Sequence, residues 1–167
     1  MLLLSRELLD QRFSELDEYL KKEVNDPQRT KNRKLGLIGE TIVEQFLSQF
    51  GEVKKGDWFN EEYDVIFENK KFEVKTATLL WSKDYFAINI SSRSKILSSD
   101  GIFILRSIFS CERSTVLYFS KNQREIVIEE GNQLLFLRDK MTKILEVNDE
   151  YYISKLHEYS QTTYQPF

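Results

Sequence analysis

Residues 101–109 restrict the fold of this chain more than any other segment. Six of these nine residues are large and apolar: Ile102, Phe103, Ile104, Leu105, Ile108 and Phe109. A continuous apolar run is typical of a strand that is covered on both faces, whereas a strand with one wet face alternates apolar and polar residues. The run therefore predicts a strand in the middle of a sheet that has other layers packed on both sides.

The segments before this run change from helical to strand periodicity. Residues 5–24 and 34–50 carry apolar side chains at the spacing of amphipathic helices, and we expect Asp26-Pro27 to end the first helix. Alternating apolar residues then predict four strands, over Val53–Lys55, Tyr63–Phe67, Lys71–Ala77 and Tyr85–Ile90. Helices followed by strands predict an α/β fold, with a central sheet flanked by helices.

The segments after the apolar run carry weaker signals. The sequence predicts a strand at Thr115–Ser120, short strands at Glu125–Ile128, Leu134–Arg138 and Lys143–Val147, and a closing helix at Asp149–Tyr159. A chain of 167 residues suits a single domain. We expect it to comprise a core over 34–120, a helical N-terminal extension over 1–33 and a β-rich C-terminal extension over 121–167.

Composition excludes several kinds of site. With one cysteine, Cys111, and one histidine, His157, neither an internal disulfide nor a cysteine zinc cluster is possible, and a reducing, cytoplasmic setting fits. We expect no signal peptide and no membrane span. The net charge is −3, but basic residues concentrate in the middle of the chain. The basic stretch 28–34 is interpreted as a linker or a helix lead-in. Its positive charges either are solvated or bind the phosphate backbone of DNA.

The hairpin formed by Tyr63–Phe67 and Lys71–Ala77 gathers the residues with chemical potential. With Asn69 and Lys70 at the tip, Asp64 is opposite Lys75 and diagonal to Glu73, and all three side chains project to one side. The other side carries apolar residues and faces the core. Two carboxylates at this separation suit a hard cation such as Mg²⁺, and a nearby ammonium can orient a water or offset phosphate charge. The pattern therefore favours phosphodiester hydrolysis.

Glu40, on the helix before the hairpin, is the residue that we expect to complete this site. It follows two glycines, Gly36 and Gly39, each of which weakens a helix by roughly 1 kcal/mol relative to alanine. We interpret the glycines as allowing close approach of the helix to the sheet. Glu44, one turn further along, competes with Glu40 for the same role.

The run Gly36-Leu37-Ile38-Gly39-Glu40, then Asp64, then Glu73-Val74-Lys75, resembles the PD-(D/E)XK nuclease superfamily. The resemblance covers about residues 34–120. Tyr63 stands where the name-giving proline would be, and that proline is often absent in the family. The resemblance implies a restriction-endonuclease-like fold, which is a mixed central sheet flanked by helices, and hydrolysis of DNA, less often RNA, with a divalent metal ion.

The same resemblance implies roles for individual residues. Asp64 and Glu73 would bind Mg²⁺, for which Mn²⁺ substitutes, with the Val74 carbonyl as a third ligand. Lys75 would position or activate the attacking water, and Glu40 would be a supporting acid. Four residues after the fourth strand would hold backbone phosphates: Ser91, Ser92, Arg93 and Lys95. Site-specific cutting of double-stranded DNA, of the restriction or homing type, needs two active sites, so we expect a homodimer or larger assembly.

Other functions stay open on the sequence alone. A structure-specific nuclease, such as a Holliday junction resolvase, or an RNA-cleaving relative would use the same residues. A nucleic-acid-binding module could keep the fold without turnover, and an α/β interaction protein without enzymatic activity would bind no divalent metal.

Overall fold

The computed structural model describes ten segments of the chain, namely residues 2–21, 27–55, 64–77, 80–82, 85–89, 99–107, 114–120, 127–130, 133–137 and 142–160. Together they form a mixed α/β structure.

Helix α1 spans Arg6–Leu20 and begins with a side-chain cap, because the Ser5 hydroxyl accepts a hydrogen bond of 3.1 Å from the Leu8 backbone N–H. Helix α2 spans Pro27–Ser48 and α3 spans Glu150–Ser160. The basic stretch 28–34 therefore forms the first turns of α2, so that of the two expected alternatives the linker was wrong and the start of a helix was right. The reason is Pro27, whose fixed φ and missing N–H suit the first position of a helix.

The predicted succession of strands is largely confirmed. The strands are β1 (Val53–Lys55), β2 (Val65–Phe67), β3 (Lys70–Ala77), β4 (Leu80–Ser82), β5 (Tyr85–Asn89), β6 (Gly101–Ser107), β7 (Ser114–Ser120), β8 (Val127–Glu130), β9 (Gln133–Leu137) and β10 (Thr142–Val147). Strand β4 was missed by the sequence reading.

Two sheets result. The larger has the order β1-β2-β3-β6-β7-β10 and is mixed, because β3 and β6 are parallel while its other pairs are antiparallel. The smaller sheet, β4-β5-β9-β8, is antiparallel. Strand β6, which contains most of the apolar run, lies between β3 and β7 and so has strands on both sides, as predicted.

The hydrophobic core joins the three helices to one face of the larger sheet. The sheet contributes Val65, Phe72, Val74, Phe103 and Val147, and the helices contribute Leu9, Phe13, Leu16, Leu37, Ile38, Ile42, Val43, Leu47, Tyr152, Ile153 and Leu156. The expected core face of the hairpin is thus confirmed for Val65, Phe72 and Val74. Tyr63 lies outside the described residues.

A polar network fixes α3 against the other two helices. The Tyr152 hydroxyl donates to the Ser5 carbonyl at 2.6 Å and accepts from Gln45 Nε2 at 2.8 Å. Burial raises the pKa of Tyr152 to about 12, so the phenol stays protonated and keeps its donor role. Among the described residues, no helix has both the length and the apolar character that crossing a bilayer requires.

Candidate functional site

The hairpin of β2 and β3 turns at Glu68 and Asn69, one residue earlier than the sequence suggested. Both residues have positive φ, 52° and 62°, as a tight two-residue turn of the hairpin type requires. Val65 pairs with Phe72, and Phe67 pairs with Lys70. The predicted pairing of Asp64 with Lys75 was therefore wrong.

Continued by one step, the observed register would set Asp64 level with Glu73, although β2 itself begins only at Val65. The register differs from the predicted one by two positions, so the division of side chains between the two faces does not change. The observed turn therefore places Asp64 nearer to the level of Glu73 than the predicted register did.

Asp64 marks the end of the β2 pairing. Its backbone N–H donates to the Phe72 carbonyl at 3.2 Å, and its Oδ2 accepts a hydrogen bond of 2.8 Å from the Val74 N–H. The N–H and C=O of one strand residue point to the same edge of the strand. The Val74 carbonyl is therefore directed to the side of β3 on which the Asp64 carboxylate lies.

Glu73 is fully buried, which the sequence did not anticipate. Its exposed fraction is 0%, and that of Ile102, its partner on the parallel strand β6, is 1%. The face that was expected to be wet is thus covered at this point. A buried carboxylate is costly unless charges or donors compensate it, and the Lys75 ammonium lies 3.9 Å from Glu73 Oε2. The Lys75 side chain keeps 27% of its surface exposed.

Glu40 reaches this group from α2. Its carboxyl group shares a hydrogen bond with the Asp64 side chain and interacts electrostatically with Glu73. The pKa of Glu40 is raised to about 8, mainly by burial and then by the negative charge of Asp64, while the positive charge of Lys55 acts in the opposite direction. Near neutral pH the Glu40 carboxyl group therefore keeps its proton in the metal-free protein.

Glu44 is occupied elsewhere. Its Oε2 lies 2.8 Å from Arg12 Nη2 on α1, in an ion pair whose side chains are 14% and 22% exposed. Of the two glutamates that competed in the sequence, Glu40 joins the carboxylates and Glu44 ties two helices together.

The sequence reasoning missed Lys55. It is the last residue of β1, pairs with Val65 and contributes a positive charge at Glu40. The signal available was its place at the end of a strand next to the hairpin. Without the strand order, however, nothing distinguished it from its neighbour Lys54.

Gly36 does not have the role expected of it. A Cβ built at Gly36 would meet nothing within 4 Å, so this glycine is not required for close approach of α2 to the sheet. Gly39 is buried, and the expectation stays open there.

The basic residues of α2 are partly engaged within the protein. The Lys34 ammonium lies 3.1 Å from Asp17 Oδ1 and 5.4 Å from the centre of the Tyr159 ring, and the Arg33 guanidinium lies 5.5 Å from the centre of the Tyr19 ring. These contacts hold α2 against α1 and α3, which argues against a mobile DNA-binding arm.

The predicted phosphate-binding residues, Ser91, Ser92, Arg93 and Lys95, lie outside the described residues, as does Cys111. His157, expected on the helix surface, is half-buried in the last turn of α3.

A divalent cation is compatible with the donor set of the cluster. Within the segments that the structure describes, no three histidine, cysteine or acidic side chains form a ready-made metal cage. Mg²⁺ does not need one, because it commonly takes one or two carboxylates and keeps several waters. Asp64 and Glu73 offer hard oxygen atoms from adjacent strands, and the Val74 carbonyl would be a third donor.

Comparison with known proteins gives no family assignment: no family model matches the chain, and no curated protein matches it.

Proposed function

We propose that this protein is a Mg²⁺-dependent endonuclease that hydrolyses phosphodiester bonds of DNA, on a fold of the restriction-endonuclease type. The observation that carries the proposal is the convergence of Glu40, Asp64, Glu73 and Lys75 from one helix and one hairpin. Three neighbouring acids repel one another when they are ionised, and such unfavourable arrangements are found mainly at functional sites.

In this proposal each residue has a defined task. Asp64 and Glu73 would hold Mg²⁺, which, when bound, lowers the pKa of a coordinated water and polarises the phosphate. Lys75 would orient the attacking water and offset the charge that develops on the phosphate. Its place 3.9 Å from Glu73, with part of its surface exposed, suits a group that faces both the acids and an incoming substrate.

Glu40 would act as the supporting acid of the site. Its hydrogen bond with Asp64 orients that carboxylate in the metal-free protein. The proton of Glu40 would leave when a cation binds beside it, because a nearby positive charge favours the ionised form of a carboxyl group. Cutting of both strands of a duplex would require a second copy of the chain.

Supercoiled plasmid incubated with Mg²⁺ or with EDTA tests the proposal. We expect nicked and linear DNA with Mg²⁺ alone, and losses of at least about 100-fold in rate for Glu73→Gln and Lys75→Ala. Lys71→Ala is the matched control, since Lys71 lies on the same strand and face but is exposed. We expect it to cleave like the wild type.

Three results would count against the proposal. Cleavage that persists in EDTA would exclude the metal-dependent mechanism, and full activity of Glu73→Gln would exclude this site. Retardation of DNA on a gel without any cleavage of DNA or RNA would favour a binding module on the same fold.

A further inference from the structure

Strand β1 brings two neighbouring lysines to opposite faces of the larger sheet. Lys54 pairs with Ile66 and is exposed, whereas Lys55 pairs with Val65 and is half-buried. Val65 belongs to the core face, against which α2 packs. Lys55 therefore lies on the helix side of the sheet, one ladder position away from the level of Asp64.

This placement brings a second ammonium to Glu40, which reaches the cluster from the helix side, whereas the other three site residues project from the opposite face of the sheet. Lys55 acts on Glu40 from β1, while Lys75 lies near Glu73 on β3. Because β2 separates these two strands, and neighbouring strands are about 4.8 Å apart, the two lysines approach the group from two sides.

The charges explain why a second ammonium would matter to a nuclease. Three ionised carboxylates and Lys75 leave two net negative charges, which one divalent cation would only neutralise. With Lys55 counted as well, the cation-loaded site carries a net positive charge and can accept a phosphodiester, which has a single negative charge. Phosphate groups are bound chiefly by such lysine and arginine contacts.

We infer that Lys55 is a phosphate-binding residue of this site, which approaches the carboxylates from β1 and contacts the backbone of the nucleic acid opposite Lys75. This inference rests on the proposed function and adds to it a residue that the resemblance does not supply. Lys54 lies on the face from which Asp64 and Glu73 project, but it is exposed and pairs with Ile66, two positions from the level of Asp64, and we assign it no such role.

Duplex binding tests the inference. Fluorescence anisotropy of a labelled duplex is measured with Ca²⁺ in place of Mg²⁺, at several salt concentrations, with a gel to check that the duplex stays intact. Lys55→Met should weaken binding roughly tenfold at 0.1 M salt and reduce the salt slope by about one, as expected for one lost phosphate contact. Lys55→Arg should restore most of the affinity, and Lys54→Met should bind within about twofold of the wild type.

Calorimetric titration with Mn²⁺ separates a phosphate contact from a structural role. Removing a positive charge near the carboxylates should leave the Mn²⁺ affinity of Lys55→Met unchanged or raise it. Loss of Mn²⁺ binding together with duplex binding would mean that Lys55 only maintains the fold of the site, and the inference would fail. It would also fail if Lys55→Met bound the duplex like Lys54→Met.

The two proposals can fail separately. If the wild type cleaves plasmid and Glu73→Gln does not, equal duplex binding by Lys55→Met and Lys54→Met overturns only the inference about Lys55. If the wild type binds duplex through Lys55 but never cleaves it, the proposal of endonuclease activity is refuted and the phosphate contact is supported. A wild type that neither binds nor cleaves nucleic acid overturns both.

Discussion

Helix α2 presents two glutamates one turn apart in opposite electrostatic settings. Glu44 faces the Arg12 guanidinium at 2.8 Å, so its charge is compensated within the helical layer. Glu40 faces the Asp64 carboxylate and the charge of Glu73, and the pKa of Glu40 is raised to about 8. The first arrangement joins two helices through opposite charges, whereas the second buries acidic groups together at an energetic cost. That contrast separates residues that stabilise the fold from residues that a ligand would stabilise.

The strongest test of this contrast is the pH dependence of stability in EDTA. With a pKa near 4.5 when unfolded and about 8 when folded, Glu40 keeps its proton only in the folded state between these values. The unfolded state then binds fewer protons, so the free energy of unfolding falls as pH rises from about 5 to 8. Glu40→Gln, which mimics the protonated acid, should be more stable than the wild type at pH 8.5 by about 4 to 5 kcal/mol and equally stable at pH 4. Urea unfolding at the two pH values measures both differences.

The matched control for this experiment is Glu44→Gln. Its carboxylate is compensated by Arg12, so the substitution should leave the fall in stability between pH 5 and 8 in place. If Glu40→Gln and the wild type lost stability in parallel over that range, Glu40 would be an ordinary ionised glutamate and the contrast with Glu44 would disappear.

Breaking the ion pair between Arg12 and Glu44 should lower the free energy of unfolding at every pH near neutrality. Arg12→Ala removes the partner of a mostly buried carboxylate, and we expect a loss of about 2 kcal/mol, between the values for exposed and fully buried pairs. The double variant Arg12→Ala, Glu44→Ala should lose less stability than the two single variants lose together, because both substitutions remove the same interaction. Urea unfolding of the four proteins measures this coupling. A coupling near zero would show that the pair does not join α1 to α2.

Much of the fold was predictable because it depends on local patterns. The run 101–109 identified a central strand, and the alternation in 71–77 identified another strand, whose parallel pairing with the first only the structure shows. The start of α2 was not predictable from apolar spacing, since the first turns of this helix are polar and only Pro27 marks them. The short strand β4 was missed because its residues, Leu80, Trp81 and Ser82, do not alternate between apolar and polar side chains.

The candidate site was predictable in its members but not in its arrangement. Chain spacing favoured Glu40, Asp64, Glu73 and Lys75, and these four converge. The predicted register was wrong because the two turn residues with positive φ are Glu68 and Asn69, and a glutamate is not expected in that conformation from sequence. The complete burial of Glu73 depends on the layer that covers its face, and the role of Lys55 depends on strand order, neither of which is written in local sequence.

Substitution at a third position on the same face of α2, Gly36, should have the smallest effect on the free energy of unfolding. Gly36 lies one turn before Glu40, as Glu44 lies one turn after it, and a methyl group at Gly36 would meet nothing within 4 Å. Gly36→Ala should therefore gain up to about 1 kcal/mol of stability through helix propensity alone. Urea unfolding measures the gain. Gly39→Ala is the contrast, because Gly39 is buried and an added methyl group there must displace packed atoms. A loss of stability in Gly36→Ala would mean that this turn packs against the protein, and that the close approach first expected of both glycines occurs at Gly36 after all.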